Sequence, residues 1–313
     1  MKPRPRHAFT LIELLVVIGV IAVLISLLLP SIKKARLAGW QVVSLANMRN
    51  ICIAGLSYQE QYKGILPLLP AAPGRGMLAE RNAAGQLNTM SSFCTWTHGG
   101  KNPRGFWTTY AGGVFDIEAA DRPLNPFLTD YTPPAPDRPQ TMAATAGERL
   151  MYQLPVFRDP TDKVTHQRSW PNPMTPNATE GVIGSYDDVG TSYHYNVKWA
   201  DFLSPGLNFT AQLGSQNATA IWYRGLRRLR AGEAYSPSRF AWMHDQYADI
   251  TVYSASATAQ VRNGYGDFNR SIMGFMDGHA GYIRLRPGNT VTPSNDNSFI
   301  NSDYQFIFYA NTN

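Results

Sequence analysis

Cysteine is scarce in this chain: Cys52 and Cys94 are its only two in 313 residues. Two thiols cannot build a disulfide scaffold or a four-cysteine zinc site. They leave room for one Cys52–Cys94 bridge if the bulk of the chain lies outside the cytoplasm, or for a buried thiol at Cys52 acting as a small hydrophobe. Charge is sparse too, at 16% of residues with a formal net of +6. Lys2, Arg4 and Arg6 supply part of that excess, and without them about +3 remains, so no nucleic-acid-binding surface is indicated. A P-loop, a dinucleotide fingerprint, a nucleophile elbow and a metalloprotease helix motif are all missing, as is any repeat of fixed period. What is not missing is apolar content: at 44% hydrophobic residues the chain is neither disordered nor collagen-like and can bury a core.

The most informative feature lies at the start. MKPRPRHA precedes a nearly unbroken apolar run from Phe9 to Leu29, interrupted by Glu13. As a helix that run spans about 30 Å, the thickness of a bilayer core. A secretory signal has a shorter apolar region ending in small residues, whereas this one ends in Leu27, Leu28, Leu29 and Pro30, so the segment is expected to be retained. Charge does not orient it. Lys2, Arg4 and Arg6 on one side are matched by Lys33, Lys34 and Arg36 on the other.

Beyond Pro30 the pattern stays helical, with Val42, Leu45, Met48, Cys52 and Leu56 recurring at three- and four-residue steps. Pro30 is expected to kink rather than end this helix, Gly39 and Gly55 weaken it, and Gly64 with Pro67 supplies the stop. Proline-rich stretches at 66–90 and 132–139 read as loops. Short strands are expected at Arg239–His244, Ile250–Tyr253, Ile272–Met276, Ala280–Leu285 and Gln305–Tyr309. Asp277-Gly278 marks a two-residue hairpin turn between the third and fourth of these. The expected fold is α+β: leader 1–8, a transmembrane helix half at 9–30, an amphipathic half at 31–63 packed on the head, and a β-rich head at 64–313.

The run Phe9-Thr-Leu-Ile-Glu-Leu-Leu-Val-Val-Ile resembles the cleavage and methylation motif of type IV prepilins and type II secretion pseudopilins. Glu13 is fifth and Pro30 twenty-second counted from Phe9, where that family has them. Ala8 stands where the family usually has glycine. The resemblance implies a pilin-like architecture, cleavage between Ala8 and Phe9 by a prepilin peptidase, and methylation of the new amine. It also implies a single pass through the inner membrane with the head outside, and assembly with other pilin-like subunits into a pilus or pseudopilus. A second resemblance is to large pseudopilin-like proteins whose C-terminal region has a histidine, nine residues, then Asp-Gly. Asp277-Gly278 matches the end of that motif, and Asp267 occupies the histidine position. Arg122-Pro-Leu-Asn-Pro-Phe-Leu128, Phe157-Arg-Asp-Pro-Thr-Asp162 and Thr191-Ser-Tyr-His-Tyr-Asn196 are similar to the same group. No catalytic activity is carried over from it.

Glu13 admits two readings. An ionised carboxylate amid leucine and valine is costly in lipid and calls for a partner, which the pilin resemblance identifies as the Phe9 amine of an adjacent subunit. Alternatively it reaches the headgroups and favours the positive end of the helix dipole. The competing functions are a membrane-tethered binding module, for polysaccharide through exposed aromatics, and an anchored enzyme using His194 with Asp187 and Asp188, His244 with Asp245, or His279 with Asp277. No cofactor is required by any motif. Calcium at Asp267 and Asp277, with Asp159 and Asp162 as a separate pair, is the one metal reading, because some pseudopilin heads bind that ion in a late loop. Against it stands the ordinary use of aspartate in turns.

Overall fold

A computed structural model describes residues 11–64, 66–67, 98–103, 106–109, 116–130, 153–165, 182–196, 237–238, 240–252, 254, 256, 258–287, 300–301 and 304–305. Ala8, Phe9, Cys94, the expected loops at 68–90 and 132–139, and strand residues 306–309 lie outside them. Two compact units are present, Met1–Val42 and Val43–Asn313.

Helix α1 (Leu11–Gln61) contributes to both. In the first unit its apolar side chains from Leu11 to Leu29 stand exposed, and Pro30 is accommodated without ending the helix. In the second unit Ser44, Met48, Ile51, Cys52, Gly55 and Gln59 form the buried stripe, at three- and four-residue spacing. This stripe is rotated from the expected one. Met48 and Cys52 are buried as expected, but Val42 is exposed and Leu45 and Leu56 are only partly covered, while Ser44, Ile51 and Gly55 take the places on the sheet side. A Cβ at Gly55 would overlap the Trp242 ring, and one at Gly274 would overlap Cys52 Sγ and Met48. The helix therefore stops where expected but is strengthened by Gly55, which the sequence pattern counted against it. At its end Gly64 N–H donates to Gln59 O at 2.7 Å with Lys63 left-handed at φ 56, a Schellman-type close.

The head's sheet has four antiparallel strands in spatial order β1 (Tyr193–Tyr195), β2 (Ala241–Asp245), β3 (Arg270–Phe275) and β4 (Ala280–Arg284). Short helices α2 (Phe106–Thr109) and α3 (Ser185–Val189) precede β1 in sequence, and α4 (Gln246–Val252) follows β2 directly. The expected strand at Ile250–Tyr253 is thus a helix as far as Val252. Asp245 explains the change: its Oδ1 accepts from Tyr247 N–H at 2.9 Å, an N-cap contact that starts a helix where apolar residues alone read as strand. The β3–β4 hairpin is present, but its loop is Met276-Asp277-Gly278 rather than two residues. Gly278 N–H donates to Phe275 O at 3.0 Å and Gly278 sits at φ 91, a turn followed by a left-handed glycine. Farther on, β5 (Ile300–Asn301) pairs with β6 (Tyr304–Gln305).

Candidate functional site

The N-terminal site is built on the first two turns and the apolar length of α1. Glu13 lies in the first turn of the described helix, exposed among equally exposed Leu11, Ile12, Leu14 and Leu15. An acid there favours the helix's positive end. Along the next turns the side chains are apolar all round, which a water-facing helix avoids and a lipid-facing one requires. Among the described residues α1 is the helix long and apolar enough to cross a membrane. Residues 3–29 match the family model described as the prokaryotic N-terminal methylation motif. The chain has a prepilin-type N-terminus. No curated protein and no solved structure matches the chain.

The head holds a network of buried polar groups. Asp162 Oδ1 accepts from Ser185 N–H at 3.0 Å and Gln246 Nε2 at 3.1 Å, while Oδ2 accepts from Tyr186 N–H at 2.7 Å and Ser192 Oγ at 2.6 Å. Asp159 receives Thr161 N–H and Oγ1 on one oxygen and Tyr265 OH, at 2.5 Å, on the other. Asp245, besides capping α4, receives Ser271 Oγ at 2.7 Å and Ile272 N–H at 2.9 Å, and so fastens β2 to β3 through a side chain. Asp188 accepts from Trp107 Nε1 at 3.2 Å and Thr165 Oγ1 at 3.1 Å.

Arg122 is the cationic counterpart, fully buried. Its Nε and Nη2 donate to Ile117 O at 3.1 and 2.9 Å, Nη2 also to Val189 O at 2.9 Å, and Nη1 to His98 O at 2.7 Å. Asn125 Nδ2 adds bonds to Gly99 O and Ala119 O. His98 Nε2 lies 2.7 Å from Tyr193 O and must donate to it. Burial first, then the nearby Arg122 guanidinium, work against its protonation, and its pKa falls to about 3.

The three stretches similar to large pseudopilin-like proteins are linked in space: Asp162 accepts from Ser192, and Arg122 donates to His98 O while the His98 ring bonds Tyr193 O. Sequence reasoning found the stretches but gave Arg122 no role, and considered Asp245 only beside His244 in the enzyme reading. The signal available was a lone arginine between Asp121 and Pro123, and an aspartate followed by a helix-compatible turn. His194, His244 and Asp188, the raw materials of the enzyme reading, are buried parts of this framework. Asp187 is held by Lys101 at 2.6 Å, and His244 faces Asp245 O at 2.8 Å and Asp249 at 3.6 Å.

Asp267 and Asp277 are not brought together. They flank β3 at its two ends, roughly 17 Å or more apart by strand rise, so one calcium ion cannot take both. Asp267 accepts from Tyr282 OH at 2.9 Å, and Asp277 pairs with His279 Nδ1 at 2.5 Å, the imidazole stacking on Phe275. Among the described residues no group of three or more His, Cys, Asp or Glu is placed to hold a metal ion. Cys52 is a buried thiol without a disulfide partner among the described residues, and Cys94, its expected partner, lies outside them. Trp242 Nε1 donates to the Cys52 sulfur at 3.2 Å, and burial pushes the thiol up to about 12.

Burial also raises the acids: Asp162 to about 6 and Asp245 to about 7, each restrained by the hydrogen bonds it accepts. A carboxyl raised above its ordinary 3.8 takes up its proton more readily in the folded head than in the unfolded chain. Its contribution to stability is complete below about pH 4 and is lost as pH rises through about 6 and then about 7. His98, kept neutral in the folded head, works the other way below its ordinary 6.5, but two raised acids outweigh one imidazole. The full chain in detergent should therefore show a modestly higher Tm at about pH 5 than at about pH 8, with Asp245→Asn reducing that difference. A Tm that climbs from pH 5 to pH 8 would contradict this electrostatic picture.

Proposed function

We propose that this chain is a structural subunit of a type IV pilus-like or type II secretion pseudopilus assembly. A prepilin peptidase cuts it between Ala8 and Phe9, the new amine is methylated, and α1 holds it in the inner membrane by a single pass with the head outside. The carrying observation is the methylation motif at residues 3–29 running directly into a helix whose apolar length is exposed. The head supports a structural role because its buried aspartates and Arg122 are spent on its own backbone. Phe9 and Glu13 join subunits: the amine of one chain pairs with the carboxylate of its neighbour in a low-dielectric bundle, where each charge alone would be costly.

Processing is the first expected result. Mass spectrometry of membrane-extracted protein should find a mature chain starting at Phe9 and heavier by one methyl group. An intact Met1 terminus, or a cut beyond Leu29, would overturn the reading. Shearing the cells and imaging the released material tests assembly separately.

A further inference from the structure

Helix α1 continues without a break from its apolar half into a short basic segment, and the geometry of that junction is informative. Leu11 to Ile32 is all exposed, and at 1.5 Å per residue it spans about 33 Å, close to the roughly 30 Å of a hydrocarbon core. Lys33, Lys34 and Arg36 therefore emerge at headgroup level. They too are exposed, and Trp40 is half-covered. Lys33, Arg36 and Trp40 share one stripe of the helix by their three- and four-residue spacing, and the Arg36 guanidinium lies 4.5 Å over the Trp40 ring. Three cations here cancel the bias that Lys2, Arg4 and Arg6 would give to membrane orientation. Anchoring alone does not call for them, and polar uncharged residues would end the apolar span as well.

We propose that Lys33, Lys34, Arg36 and Trp40 form a docking surface for the phosphates of anionic phospholipids in the leaflet nearest the head. The inference rests on α1 being the membrane anchor. Two lysines offer mobile point charges to phosphate, and arginine offers a planar fork that phosphate oxygens can accept from in pairs. The indole beside it is the aromatic type that settles at the membrane–water interface. Because Arg36 is already stacked on Trp40, its position is partly fixed before lipid arrives.

The test uses the full chain, wild type and the Lys33→Gln, Lys34→Gln, Arg36→Gln triple variant. Each is first floated with vesicles of phosphatidylcholine alone, then titrated in detergent with phosphatidylglycerol or phosphatidylcholine and read by native mass spectrometry. Both proteins should float with the neutral vesicles, because the apolar span is untouched. The preference for phosphatidylglycerol over phosphatidylcholine should be greater in wild type than in the triple variant by on the order of 100-fold, at about fivefold per cation, since whatever Lys2, Arg4 and Arg6 add is common to both. Equal retention of the two lipids by wild type, or an unchanged preference in the triple variant, would overturn the docking surface while leaving the anchor standing. Failure of wild type to float at all would overturn both.

Discussion

Glu13→Ala should yield a protein that is processed, folded and membrane-resident yet absent from filaments. The carboxylate lies in the unit that ends at Val42, and the buried framework of the head begins at Ser44, so neutralising it leaves the head's Tm unchanged. In a bundle of helices the consequence is different. An amine left without its carboxylate in a low-dielectric setting costs several kcal/mol, enough to reduce incorporation by roughly a thousandfold. Glu13→Gln should behave the same way, since an amide keeps the shape but not the charge. The measurement compares crosslinked oligomers and sheared surface material from wild-type and variant cells. Indistinguishable fractions would mean that α1 is an anchor and nothing more, and a membrane-tethered binding protein would become the better account.

Arg122→Lys should unfold the head nearly as readily as Arg122→Ala. The guanidinium joins three separated stretches of chain, at His98, Ile117 and Val189, through one rigid group. An ammonium keeps the charge but gathers its donors at a single point, and cannot reach all three carbonyls. Hydrogen bonds to a charged group are worth roughly 1.5–3 kcal/mol each, and a buried acceptor left bare costs about 1–3 kcal/mol. Relief of the buried charge offsets part of this in the alanine variant, and a carbonyl still reached by the ammonium offsets part of it in the lysine variant, so for either a net loss on the order of 3 kcal/mol is expected, or about 10 °C in Tm for a head of this size. Thermal melts of the full chain in detergent, followed by near-ultraviolet circular dichroism, give the answer. A lysine variant melting within a degree or two of wild type would show that the carbonyls find other donors, and the clamp would then not be what holds these loops.

The anchor and the hairpin were legible because each rests on local chemistry. Uninterrupted apolar residues after a basic leader, and Asp277-Gly278 between alternating strands, carry their meaning within a dozen residues. The helix at Gln246–Val252 was not legible, because Ile250, Val252 and their neighbours fit a strand equally well. The deciding contact, Asp245 to Tyr247, is a matter of side-chain direction. The orientation of the amphipathic half was misread for the opposite reason. Large apolar residues suggested the contact face, and Met48 does lie on it, but the close approach of Trp242 calls for Gly55, and only the partner strand reveals that need. Arg122 and Asp162 were visible as letters in motif-like stretches, and Asp245 as the neighbour of His244. Their function as clamps depends on acceptors and donors tens of residues away.

The seating of Met48, Cys52 and Gly55 against β2 and β3 means that the anchor and the fold are not divided at the point where the helix ends. Residues 43–61 belong to the head as fully as any strand does, and a secreted version made by cutting at the helix's end would lack one wall of its core. Exchange of anchors between proteins of this build is possible only upstream of Ser44, where side chains no longer answer to the sheet. Selection on the membrane segment and selection on the head therefore act on one uninterrupted helix, and the division between them falls at a place that no glycine, proline or change of secondary structure marks.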